Sequence, residues 1–307
     1  MKTGETSGIG GSGFILLNKK PGITSFQALN SVKTAFSTGK VGHTGTLDKF
    51  ASGLLLVLAG RAVKLTPWFS GCDKEYEGTI CFGMETDTLD PEGVPVAEAP
   101  IPDREIVEAV VPRFTGPILQ APPAYSAVHV DGKRAYALVR SGMPVEMRER
   151  PVVIHSLELL SFEPPLARIR VRCSKGTYIR SLARDIALAA GSRGYVAELT
   201  RTRIAGFHLS EAEDGRSVPS RLRPITSDVF AALGVPHVEA EDGAVSGLRQ
   251  GKLLGPFLRS GALRFFPDEE GCSQNCAGVF DKSGNLIAVI EKKNGGGWGY
   301  GYVYAGP

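Results

Sequence analysis

VVIHSLELLSFEPPLARIRVRC, residues 152–173, carries the pattern on which the fold class turns. Apolar and polar residues alternate over Val152–Leu160 and again over Ala167–Cys173, as in strands with one buried face. Immediately downstream, Tyr178–Ala190 has apolar residues at helical intervals. Upstream, Phe14–Leu17 is a short strand-like run that stops at the turn signal NKKPG, after which Thr24 or Ser25 caps a helix running to about Phe36. Leu54–Ala59 is a second apolar element, and Glu77–Phe82 reads as a strand that ends in the polar turn DTLDPEG. Asp103–Val111 has helical spacing, and Arg134–Ser141 reads as a short helix.

Strands and helices are therefore mixed without steady βαβ alternation. No G-x-G-x-x-G sits between a strand and a helix, and G-x-x-x-x-G-K is absent, so a nucleotide-cofactor fold is unsupported. An α+β domain with a mostly antiparallel sheet fits better. From about Val238 the character changes to short apolar strands, turns such as DKSGN, and the glycine-heavy tail NGGGWGYGYVYAGP. A small β-rich second domain is expected there.

At 307 residues and 42% apolar, the chain is long enough for one large domain and one small one. The formal charge of +3 hides a positional bias: Arg172 to Arg203 holds seven Lys/Arg against two acids. Such a local field suits a polyanion, although solvated surface charge explains many runs of this kind. No apolar run reaches membrane-spanning length, and the polar, glycine-rich residues 1–13 read as a loose leader rather than a signal peptide. Five scattered cysteines imply reduced thiols and a cytoplasmic setting, and Cys272 and Cys276 lack a partner pair at zinc-site spacing.

One polar cluster stands out. VGHTGTLDKFASG, residues 41–53, sets Asp48 in a turn rich in glycine just before an apolar run. Loops fixed to a rigid element often carry chemistry. On spacing alone, however, an aspartate cap of a helix beginning at FASGLLL is the better reading. Arg180 is suited to pairing bidentately with a carboxylate, and Tyr76, in KEYEG just before a strand, to stacking on a flat ligand. A solvated helix arginine and a core-edge tyrosine explain the same residues. Asp87 and Asp90 read as an Asx-rich turn rather than a cation site.

A resemblance adds to this reading. FILLNKKPGITSF, KVGHTGTLDKFASG, KEYEGTICFGMETDTLDPEG, QAPPAYSAVHVDGKRAYALVRSG and CSKGTYIRSLARD, followed by LTRTRIAGF, occur in order over residues 14–207. In them the chain resembles the bacterial TruB-type tRNA pseudouridine synthases, which convert the T-loop uridine at the conventional position 55 to pseudouridine. The resemblance implies a pseudouridine-synthase catalytic domain over residues 14–236, with a mixed sheet, flanking helices and a cleft across the sheet. It also implies a PUA-like RNA-binding domain over residues 237–307. Asp48 would be the essential aspartate, acting as nucleophile at C1′ or as base at C2′. Tyr76 would stack on the uracil and help remove the C5 proton, and Arg180 would pair with Asp48. His43 would contact RNA beside the flipped nucleotide, while Lys19, Tyr178 and Leu199 shape the pocket. No metal or organic cofactor is implied. The partner would be the tRNA T-arm, with the acceptor stem gripped by the terminal domain, and the enzyme would act as a monomer away from any membrane.

Two departures are visible. Lys49 and Phe50 stand where the family has a proline and an aliphatic residue, and LLLVLAGRAVKL is more uniformly aliphatic than usual. Two alternatives share the scaffold: a noncatalytic RNA-binding or tRNA-folding module, and a related synthase acting on another RNA.

Overall fold

The computed structural model describes residues 11–126, 128–130, 133–135, 138, 141, 147–214, 221–265, 275–294 and 296–304. A large mixed sheet organises most of the chain. Its strands are β1 (Gly13–Lys19), β2 (Val41–His43), β3 (Ser52–Ala59), β4 (Lys74–Phe82), then β7 (Gly116–Gln120), β10 (Arg150–Glu163) and β11 (Leu166–Cys173). β12 (Gly194–Ile204), β13 (Phe207–His208) and β14 (Glu213–Asp214) complete it. Between them lie two small ladders, β5 (Met84–Thr86) with β6 (Pro95–Glu98), and β8 (His129–Val130) with β9 (Lys133–Arg134). The spatial order is β14-β1-β3-β12-β4-β11-β10-β7, with β2 on β3 and β13 on β12. Only β14–β1 and β12–β3 are parallel, so the sheet is mixed and mostly antiparallel, as expected.

Burial explains which runs are uninterrupted. β1 and β3 carry layers on both faces. Ile15, Leu17, Leu55 and Val57 pack against Ala28, Leu29 and Val32 of the helix Ser25–Ala35. Phe14, Leu16, Leu54, Leu56 and Leu58 pack on the opposite side against Phe69, Ile204 and Phe230. Strands covered on both faces lose the polar alternation. β10 and β11 are covered on one face only, where Ile154, Phe162, Ile169 and Val171 meet Leu182, Ala183 and Ile186 of the helix Ile179–Ala189. Their other face carries Arg168, Arg170 and Glu158.

Several expectations need correcting. No helix follows Asp48: the apolar run is strand β3, and Asp48 sits in the turn before it, its carbonyl accepting from the Ala51 amide at 3.2 Å. Tyr76 lies within β4 rather than ahead of it. Gly13, placed in the leader, already belongs to β1, and Ser12 Oγ accepts from the Arg61 amide at 2.9 Å. The rest of the leader, residues 1–10, lies outside the described residues. Of the helix expected at Arg134–Ser141, Arg134 is in β9, Ala135 and Leu138 are helical and Ser141 is in a turn; the other positions lie outside the described residues. The strand β12 was not expected at all, yet it is central.

The seam of the sheet is where β12 meets β3, in a parallel pairing limited to Thr200 with Ser52 and Arg201 with Gly53. Gly53 has φ +108°, and a Cβ there would stand 2.4 Å from the Arg201 carbonyl oxygen. Only glycine combines that backbone conformation with so close an approach.

The C-terminal segment forms a second sheet from β15 (His237–Ala240), β16 (Leu263–Phe265), β17 (Cys276–Phe280), β18 (Leu286–Lys292) and β19 (Trp298–Val303), in the order β16-β15-β17-β18-β19. It has its own core of Val238, Leu248, Val279, Ile287 and Ile290. It also shares a core with the first sheet through Phe280, Leu286, Val289 and Tyr304. The glycine-rich tail has a packing cause: a Cβ on Gly301 would lie 2.7 Å from the Trp68 ring and 2.9 Å from Glu291 Cδ. Trp68 Nε1 donates to Glu291 Oε1 at 3.0 Å, which ties the two sheets together.

Candidate active site

Asp48 is held from both sides of its turn. Ahead of it, Ser25 Oγ accepts from the Leu47 amide at 2.8 Å and donates to the Leu47 carbonyl at 3.0 Å. Behind it, the Lys49 carbonyl accepts from the Gly22 amide at 2.8 Å and from Lys19 Nζ at 3.3 Å. A serine at the start of one helix and a lysine at the end of β1 thus fix the backbone flanking one carboxylate.

Arg180, in the first turn of the helix Ile179–Ala189, grips that carboxylate. Its Nη2 donates to Asp48 Oδ1 at 3.2 Å, and its Nε lies 2.9 Å from Asp48 Oδ2, within ion-pair distance but not aimed to donate, so one hydrogen bond and one ionic contact hold the carboxylate. The arginine side chain is 6% exposed and the aspartate 38%, so the carboxylate keeps one open side. Arg180 is anchored in turn by Thr88 O at 2.8 Å, Tyr125 O at 3.2 Å and Asp90 Oδ2 at 3.4 Å.

Asp90 is a site residue that the reading of the sequence missed. It does sit in an Asx turn, accepting from the Glu92 amide at 3.0 Å and from Thr88 Oγ1 at 2.6 Å. Its other oxygen faces Arg180, so one guanidinium is shared between two carboxylates. Burial pushes the Asp90 carboxyl up, with the Thr88 hydroxyl and Arg180 opposing. An Asx-turn sequence signals the turn but not the arginine 90 positions away.

Tyr76 is buried on β4 within the main core, directly across the ladder from Arg201 on β12. Burial raises its phenol; the charge of Arg201 works against that rise. Lys19 reaches the Lys49 carbonyl beside Asp48, and Asp90 shares Arg180 with it.

The remaining expected residues occupy distinct positions. His43 closes β2; its Nδ1 is buried with no hydrogen-bond partner among the described residues, and burial together with Arg201 holds its pKa below the ordinary 6.5. Lys19 is wholly buried and donates to the carbonyls of Lys20, Ile23 and Lys49, so it clamps the loop from behind. Burial lowers its pKa to about 8, with Asp48 opposing. Tyr178 immediately precedes the Arg180 helix, its amide and carbonyl both bonded to the Gln120 side chain at 2.8 and 3.1 Å. Leu199 is buried on β12 and contributes to the core beneath Tyr76. Of the two unusual residues after Asp48, Lys49 pairs with Glu92 at 2.7 Å, linking the Asp48 turn to the Asp90 turn, and Phe50 packs on the main core. Among the described residues no group of His, Cys, Asp and Glu is arranged to hold a metal ion.

The arrangement provides an open carboxylate held by a buried cation. It can abstract a proton or attack an electrophilic carbon.

Comparison with known proteins identifies the family. Residues 33–179 match the family described as TruB family pseudouridylate synthase (N terminal domain). The tRNA pseudouridine synthase B of Borreliella burgdorferi (strain ZS7) is 46% identical over 204 residues, covering 66% of this chain and 72% of that protein. The protein of the same name from Aromatoleum aromaticum is 42% identical over 262 residues, or 83% of this chain and 85% of its own. Among solved structures, a chain of a Cbf5-Nop10-Gar1 complex superposes with a TM-score of 0.69 at 22% identity, over 97% of this chain and 85% of that one. The fold is thus that of a pseudouridine synthase followed by a small β-rich unit, and the chain belongs to the TruB family of pseudouridylate synthases.

Proposed function

We propose that this enzyme isomerises uridine to pseudouridine in tRNA, acting on the T-loop uridine at the conventional position 55. The single observation that carries the reading is the Asp48–Arg180 ion pair, in a chain whose relatives are named tRNA pseudouridine synthase B. The reaction breaks the C1′–N1 bond, turns the uracil and forms a C1′–C5 bond. It transfers no electrons to an acceptor and needs no outside nucleophile.

Asp48 acts as a base at C2′. It takes the C2′ proton as the C1′–N1 bond breaks, leaving a C1′–C2′ double bond and a uracil anion. After the base turns, C5 bonds to C1′ and Asp48 returns the proton to C2′. The C5 proton is then lost and N1 gains one, so atoms and charge balance. Tyr76 stacks on the uracil and relays the C5 proton; with its phenol raised by burial, it works as a relay rather than a standing base. Arg180 keeps the carboxylate aimed, and His43, Lys19, Tyr178 and Leu199 bound the pocket.

A stacked T-loop uridine must leave the loop before Asp48 can reach its sugar, at a cost of about a few kcal/mol. Phosphate contacts offset this cost. A groove of about 570 Å³ adjoins the start of Tyr76's strand and carries Lys74, Arg172, Lys175 and Arg203 on its walls. We assign it to the RNA backbone, with residues 237–307 as a PUA-like domain that holds the acceptor stem and a single chain sufficing for one tRNA. Binding then weakens steeply with salt.

The test uses an unmodified T-arm transcript and full-length tRNA, with pseudouridine mapped after incubation. The reading expects modification of the one T-loop uridine. Binding of both RNAs without modification of either would move the assignment to a noncatalytic RNA-binding module.

A further inference from the structure

We infer that Arg201 is the positioning residue of this site, the group that holds the Asp48 turn and faces Tyr76 across the ladder. The inference rests on the isomerase reading above and adds to it a residue that touches no substrate.

Arg201 is 1% exposed and lies at the seam between β3 and β12. Its guanidinium is spread over three carbonyls. Nε donates to Leu54 O at 2.7 Å, Nη2 to Gly45 O at 3.1 Å and Nη1 to Thr46 O at 3.4 Å, and Arg201 stands directly opposite Tyr76 in the β12–β4 ladder. Gly45 and Thr46 are the entry to the Asp48 turn, and Leu54 is the exit from it. One planar group therefore fixes the ends of the turn, with Tyr76 as its cross-strand neighbour. A planar fork with five donors suits this task, and an ammonium does not.

The charge is equally telling. No carboxylate lies within ion-pair distance of Arg201 among the described residues, whereas Arg180 has two. Removing a cation from water without an opposite charge is costly unless its hydrogen bonds are met. Here three backbone carbonyl oxygens accept from it. Its charge reaches Tyr76, His43, Lys19 and Lys74, in each case disfavouring positive charge or favouring negative charge, with Asp48 opposing it at Tyr76 and outweighing it at Lys19. A resident cation behind Tyr76 favours the uracil anion of the proposed route once it forms.

The test compares Arg201→Lys and Arg201→Gln with the wild type in three measurements. Single-turnover conversion of bound T-arm RNA is expected to fall about 100-fold in R201Q, the scale of a reacting group misplaced by about 1 Å. The dissociation constant for the RNA stays at its wild-type value, and R201K, which keeps the charge without the fork, recovers only part of the rate. The third measurement needs no activity: the ¹³Cζ resonance of Tyr76, assigned by its loss in Tyr76→Phe, is followed against pH. The groups that act on Tyr76 are Arg201 from β12, Cys173 from β11 and Asp48 from the turn. Losing Arg201 alone moves the resonance and raises the titration.

Conversion by R201Q at the wild-type rate would overturn the inference. So would a loss of rate matched by an equal loss of RNA binding, with the Tyr76 resonance unmoved, since that marks a residue needed only for folding. If R201Q does not fold, R201K carries the same comparison. A wild type that converts no T-arm uridine sinks the isomerase reading instead, and the Tyr76 titration still decides whether Arg201 governs that hydroxyl.

Discussion

The two halves of the large sheet are built differently. In β1 and β3 both faces are covered, and Leu16, Leu17, Leu54, Leu55 and Leu56 have no exposed surface. In β10 and β11 one face is open. There Arg170 meets Glu77 at 2.8 Å and Glu158 at 3.5 Å, and Arg168 meets Glu77 at 3.6 Å, all in contact with solvent. The doubly covered half gives a rigid backbone; the singly covered half leaves a surface that tolerates change. The site lies where they join. Asp48 enters just ahead of β3, Tyr76 stands on β4, and Arg201 on β12 spans the two. The difference teaches that the precision of the carboxylate comes from the covered half, where neighbouring layers hold β3 on both faces.

Substitutions sharpen this contrast, starting with the largest effect. Leu56→Ala, in the doubly covered half, is expected to cost about 3–5 kcal/mol, because neither face can collapse onto the cavity. Urea unfolding measures it, and a cost near 1 kcal/mol would mean that half is looser than its burial implies. Gly53→Ala strikes the seam itself: the φ of +108° and the 2.4 Å approach to Arg201 force β3 and β12 apart. Backbone strain alone costs about 1–3 kcal/mol. The same change displaces Arg201, so single-turnover rate should fall further than stability suggests. Arg170→Ala on the open face should cost under about 1 kcal/mol, as exposed ion pairs do.

Lys19 separates the halves by pH. Its folded pKa of about 8 lies below the ordinary 10.5, so between these values the unfolded chain binds more protons than the folded one. Stability contributed through this group therefore rises as pH increases from about 8 to 10.5 and is flat below 8. Comparing wild type with Lys19→Met across that range checks the sign, and a difference that falls with pH contradicts it.

Much of this architecture is legible in the sequence, for reasons that differ by region. The alternation of β10 and β11 announces strands with one wet face. The helix Ser25–Ala35 is announced by Thr24, whose side chain accepts from the Gln27 amide in a capping box. The run of β3 is apolar in any conformation, and periodicity cannot tell a doubly buried strand from a buried helix. That is why Asp48 reads as a cap. β12 escaped notice because GYVAELTRTRI sends Arg201 inward to carbonyls that lie about 150 residues away in sequence. The pairing of Asp48 with Arg180 spans 132 positions and was available only through resemblance. Asp90 was hidden by its own turn, since the bonds that make an Asx turn are local and the bond that matters to the site is not.

The most direct test of the account follows tritium released from C5 of the T-loop uridine, with wild type and Asp48→Ala at equal concentration and saturating RNA. The account predicts release by the wild type and none by D48A, with RNA binding retained by both. Release by D48A at the wild-type rate would contradict it, because the carboxylate held by Arg180 would then serve only to brace its turn and the chemistry would lie elsewhere.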